Sequence, residues 1–135
     1  MDETTLKEWI INFVKNKDLM YRKLVSYEEA EKTVLFHFKD KDQAYFILPQ
    51  LNQSIFLLIK EDGQKTIVCL ASRDNLKFLI DNWSSFSVVN DLNFVFVSVQ
   101  TNKRWIINPG VHSKICDDDS LVFGLESMYS ATFES

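Results

Sequence analysis

KTVLFHFKDKDQAYFILPQLNQSIFLLIKEDGQKTIVCLAS, residues 32–72, is the stretch on which the fold turns. Four short runs rich in Val, Ile, Phe and Tyr occupy 33–39, 44–48, 54–60 and 65–71, the pattern of strands. Between them lie Asp40-Lys41-Asp42, the polar stretch 49–53 and Glu61-Asp62-Gly63-Gln64. Connections this short join antiparallel neighbours, because a parallel crossover needs a dozen residues or more. The stretch therefore predicts an antiparallel β-meander. In the first run Val34, Phe36 and Phe38 alternate with Leu35, His37 and Lys39. The third run is apolar on both faces, as a central or doubly covered strand should be.

Helical patterns flank this core. Leu6, Trp9, Ile10, Phe13 and Val14 form an i, i+3, i+4, i+7, i+8 stripe. Thr5 and Glu8 have capping-box spacing, and Lys15 and Lys17 suit the helix C-terminus. Residues 19–27 read either as a first strand or as a bridge. Ser72 is an N-cap for a second helix marked by Leu76, Leu79, Ile80 and Trp83. Residues 86–89 read as a short strand, and 94–99 with 104–107 as a hairpin. Asn108-Pro109-Gly110 reads as a turn, and Asp117-Asp118-Asp119-Ser120 opens a C-terminal helix. The expectation is a single α+β domain over 1–135: an antiparallel meander sheet with N-terminal, central and C-terminal helices packed on it.

Composition narrows the function. The 135 residues are 46% hydrophobic and 25% charged, a globular balance. A formal net charge of -4 with scattered Lys and Arg argues against nucleic-acid binding, which depends on neutralising phosphates. The acidic start Met1-Asp2-Glu3 is unlike a signal peptide, and no apolar run reaches membrane-spanning length, so a cytoplasmic protein without membrane attachment is expected. In that compartment Cys69 and Cys116 are free thiols.

Reactive constellations are sparse. His37, Cys69, His112 and Cys116 make a nominal zinc set, but no two cysteines lie within four residues, so no metal or other cofactor is expected. His112 and Cys116, spaced i, i+4, form a reactive pair only if a third group orients the base. The Asp117–Asp119 run is explained by capping and by the helix dipole. A metal-dependent nuclease of the restriction-endonuclease type needs an acidic residue two positions before a Lys, and no Lys here has one. G-x-S-x-G, Walker and H-E-x-x-H motifs are absent as well. Phe36, Phe38, Phe46, Phe56, Phe94 and Phe96 either fill the core or line a ligand pocket in a curved sheet.

From Asp62 to Ser72, followed by a Leu76-bearing helix, the chain resembles the strand–Ser–helix segment of SseB-like domains, the enhanced-serine-sensitivity family. Ile106-Ile107-Asn108-Pro109-Gly110 is similar to that family's apolar-Asn-Pro-Gly turn. The resemblance covers the second half of the chain, with Leu70-Ala71-Ser72 where the family usually has Phe-Thr-Ser. It implies a small bacterial α+β domain with no established catalytic residue. The function expected is a non-catalytic protein-interaction domain, with a homodimer as one form of it. A small-molecule carrier with a Phe-lined pocket is the alternative, and a thiol- or His-dependent enzyme comes after both.

Overall fold

A computed structural model describes residues 3–61, 63–115 and 117–134. Its elements are α1 (Glu3–Asp18), β1 (Leu24–Glu29), β2 (Thr33–Phe38), β3 (Asp42–Ile47), α2 (Ile55–Leu58), β4 (Lys65–Leu70), α3 (Arg73–Asp81), α4 (Trp83–Ser87), β5 (Leu92–Ser98), β6 (Lys103–Ile107), α5 (Pro109–Ile115) and α6 (Asp118–Phe133). The strands form one sheet in sequence order, β1 to β6.

The α+β class holds, but the sheet is mixed rather than purely antiparallel. β1, β2 and β3 pair antiparallel, as do β5 and β6, whereas β3, β4 and β5 run parallel. The cause lies in the run 54–60, which is not a strand. Asn52 Oδ1 accepts from the Ser54 N–H at 2.9 Å and turns the chain, and Ile55–Leu58 coils into α2 with Ile55 buried and Leu57 exposed. With that strand gone, the connection between β3 and β4 spans 48–64, long enough for a parallel crossover. The strands covered on both faces are instead β4 and β5, the central parallel pair.

Two apolar layers sandwich the sheet. On one face α1 sets Leu6, Ile10, Ile11 and Val14 against Val34, Phe36, Ile47, Val68, Val95 and Val97. On the other, α3, α4 and α6 contribute Leu76, Leu79, Trp83, Phe86, Leu125 and Tyr129 against Ile67, Cys69, Phe94, Phe96, Trp105 and Ile107. Alternation along each strand sends successive side chains to opposite layers. Asn75, itself buried, ties the crossover together. Its Oδ1 accepts from the Leu51 N–H at 2.9 Å, and its Nδ2 donates to the carbonyls of Pro49 at 2.9 Å and Leu70 at 2.7 Å.

Other boundaries also differ from expectation. α1 begins by Glu3, so Thr5 and Glu8 lie within the helix rather than at its entrance. Residues 19–27 divide between a turn and β1. Ser72 does cap α3, accepting from the Asn75 N–H, and Trp83 opens a separate helix, α4, that takes in the first half of the strand expected at 86–89, the rest being turn. Asn108-Pro109-Gly110 starts α5 rather than ending in a free turn. Asn108 Oδ1 accepts from the Val111 N–H at 3.0 Å, and Pro109 takes the first helical position, where its missing N–H costs nothing. Gly110 fits closely there, since a Cβ would come to 3.3 Å from the Val89 carbonyl oxygen and the neighbouring backbone would have to give by a few tenths of an ångström.

Candidate functional site

α1 spends its apolar stripe on the sheet and ends at Asp18. The next three residues, Leu19, Met20 and Tyr21, are 69%, 92% and 68% exposed, and Val25, four residues further along on β1, is 65% exposed. Their backbone is nonetheless firmly held. The Asp18 carbonyl accepts from the Tyr21 N–H at 3.1 Å and the Arg22 N–H at 2.7 Å. Its carboxylate accepts from the Lys23 N–H at 3.0 Å and the Leu24 N–H at 2.8 Å. Arg22 is held at φ 51°, an uncommon conformation for a side-chain-bearing residue. The corner is therefore a fixed turn presenting large apolar side chains to solvent.

The charge around it runs against the molecule's net -4. Lys17, Lys23 and Lys41 line the groove beside the turn together with Asp18 and Asp40, and Arg22 follows the turn in the chain. Asp18 is committed to the backbone, Asp40 lies 3.8 Å from Lys23 Nζ, and Asp42 is taken by His37. An open groove of about 310 Å³ beside the turn is lined by Tyr21, Phe38 and Tyr45 with Lys17, Lys23 and Lys41 among others.

A larger groove, about 620 Å³, runs between α1 and the sheet-edge strand β6. Trp9 and Phe13, one helical turn apart, stack at 5.2 Å between centroids. Trp9 Nε1 donates to Asn102 Oδ1 at 2.9 Å, fixing the β5–β6 turn to the helix. The Arg104 guanidinium lies over the Phe13 ring at 4.6 Å. Among the described residues no acidic side chain lines this groove.

The residues singled out from sequence are dispersed. His37 stands on β2 between two carboxylates on the adjoining strands, with Nε2 2.7 Å from Glu28 Oε2 on β1 and Nδ1 3.0 Å from Asp42 Oδ1 on β3. The hydrogen bond to Glu28, then that to Asp42, raises its pKa above the ordinary 6.5. Cys69 is a free thiol fully buried in β4, and burial pushes its pKa well up, away from the reactive thiolate. His112 packs edge-on against Trp83 at 5.7 Å, and its buried Nε2 has no hydrogen-bond partner among the described residues. Cys116, its suggested partner, lies outside the described residues. No group of three or more His, Cys, Asp or Glu among the described residues could hold a metal ion.

Of the six Phe residues, Phe36, Phe94 and Phe96 are wholly buried. Phe46 and Phe56 pack on the α3–α6 layer, and Phe38 borders the smaller open groove. Phe36 meets Tyr45 edge-on at 5.1 Å, and Phe94 meets Phe86 at 5.0 Å, so these rings fill space against one another. Sequence reasoning missed the Leu19–Tyr21 corner and Arg104. The signal at the corner was an unbroken Leu-Met-Tyr triplet directly after the helix stop, between Lys17 and Arg22.

Among the described residues no helix is long and apolar enough to cross a membrane. No protein-family model, curated protein or solved structure matches the chain.

Proposed function

We propose that the chain is a non-catalytic protein-interaction domain that binds its partner through the α1–β1 corner. The observation that carries this is the exposure of Leu19, Met20, Tyr21 and Val25 on a backbone pinned by Asp18. A floppy apolar tip can fold back on itself, but a fixed one stays exposed until something covers it. Burying a side chain such as Leu19 or Met20 is worth about 1.5–3 kcal/mol each, so the corner holds several kcal/mol of unrealised contact. Lys17, Lys23 and Lys41 in the adjoining groove, with Asp18 committed to the backbone and Asp40 beside Lys23, favour a partner surface bearing carboxylates. A second copy of the chain is one such partner, since the molecule as a whole is acidic. The SseB-like resemblance, which implies no catalytic residue, is in keeping with this reading, and so is a cytoplasmic setting for the free Cys69 thiol.

The test uses wild type and a chain carrying Leu19→Ser and Met20→Ser as paired baits in extract from the producing cells. The reading expects at least one protein retained by wild type and lost by the variant. Identical retained sets contradict it. Light scattering at high concentration settles self-association: a wild-type dimer that becomes monomeric in the variant places the second copy at this corner.

A further inference from the structure

The edge of the sheet opposite the corner is also open. β6 is the terminal strand, hydrogen-bonded to β5 on one side and, among the described residues, to no strand on the other. An unpaired edge is a template for another strand, and natural folds usually blunt it with charge, twist or a covering element. Here the outward face of β6 is differentiated. Arg104 and Ile106, two residues apart, share the face towards α1, and Ile106 is 47% exposed. Arg104 lies flat on Phe13, which is itself braced by Trp9 and through it by Asn102. Among the described residues it makes no ion pair. Cation–π contact with the ring face leaves the guanidinium edge, with its donors, free for a carboxylate. Lys17 lines the same groove and Lys103 stands exposed at the head of β6, while none of the chain's 19 acidic residues lines the groove among those described.

We infer that β6 captures an extended acidic segment of another protein as a seventh strand, with the segment's inward side chains seated in the α1–β6 groove. This deepens the protein-interaction reading and rests on it, but uses a different surface. Strand addition supplies main-chain hydrogen bonds, and alternate side chains supply specificity. The alternation on β6 specifies the occupant: a carboxylate opposite Arg104, an apolar side chain opposite Ile106, and further acids towards Lys103 and Lys17. Self-pairing of β6 in parallel, or antiparallel about Lys103–Arg104, is disfavoured because it brings like charges of two copies together, and light scattering tests the other registers.

The probe is a synthetic ten-residue peptide of repeating Glu-Thr-Val-Thr, which sets acidic and apolar side chains in turn on the one face that meets Arg104 and Ile106, beside a control peptide with Lys in place of each acid. Binding is read by fluorescence anisotropy, and its location by amide shifts of the isotope-labelled protein. The expected result is binding of the acidic peptide only, with the largest shifts over Lys103–Ile107. Arg104→Glu should weaken it by roughly tenfold or more, the size of one charge-assisted contact, with an unchanged circular dichroism spectrum. Arg104→Lys, which keeps the charge but not the flat fork, should weaken it less, and Leu19→Ser with Met20→Ser should leave it unchanged. Equal binding of both peptides, shifts centred elsewhere, an unaffected Arg104→Glu chain, or light-scattering evidence of a dimer abolished by Arg104→Glu would overturn the inference. Failure of peptide binding while the Leu19/Met20 variant still loses its partner removes strand capture and leaves the corner standing.

Discussion

Replacing Asn75 with Ala cuts the three side-chain hydrogen bonds that join the end of β3, the end of β4 and the start of α3. The Pro49 carbonyl keeps a second donor, the Leu70 N–H at 3.1 Å, so its loss is small. The Leu51 N–H is different. It sits on a buried residue and gives its hydrogen bond to Asn75 Oδ1, so its stranding carries a desolvation penalty of about 1–3 kcal/mol. Losing the bond to the Leu70 carbonyl adds about 1 kcal/mol, and the better helix propensity of Ala returns about 0.5 kcal/mol. The net expectation is a loss of about 1.5–3.5 kcal/mol. At a urea slope of about 2 kcal/mol per molar, the middle of the usual range, the unfolding midpoint should fall by about 1–2 M with the slope unchanged. Asn75 can bridge these segments only if residues 48–64 carry the chain across to a parallel β4. A loss below about 0.5 kcal/mol would refute that topology's dependence on the bridge.

Phe36→Ala should cost about 3–5 kcal/mol in chemical denaturation, because the ring is wholly enclosed between α1 and the sheet. His37 bridges Glu28 and Asp42 best when protonated, and its folded pKa is raised, so its stabilisation is complete below about pH 6.5 and is lost as pH rises through the folded value. The melting-temperature gap between wild type and His37→Gln should thus be widest near pH 5.5 and shrink towards pH 8; a gap constant with pH would contradict the bridge. With Cys116→Ser removing the other thiol, Cys69 should resist a thiol reagent in the folded protein and react fully in denaturant.

The strands that alternate cleanly were legible in the sequence. Val34-Leu35-Phe36-His37-Phe38 and Ile67-Val68-Cys69-Leu70 each bury one set of side chains against α1 and send the other set to the opposite face. The error at 54–60 came from five consecutive apolar residues, a pattern that a short helix and a doubly buried strand share. One misread segment reversed the direction of β4 and, with it, the character of the sheet. The His37 bridge was within reach, since a tight turn at 39–41 sets His37 opposite Asp42, whereas Glu28 required the register of β1. The β5–β6 hairpin was read correctly, but Arg104 could not be placed on Phe13, because nothing in local sequence says which helix covers which end of a sheet.

Photocrosslinking at the α1–β1 corner puts the interaction reading to its plainest trial. A photoreactive phenylalanine analogue is placed at Met20 in the producing cells, with the same analogue at Lys77, an exposed position on α3, as the comparison. The prediction is a discrete protein adduct from position 20 that is absent from position 77 and disappears when Leu19→Ser and Tyr21→Ser are added. No adduct at position 20, or the same adducts from both positions, would contradict it.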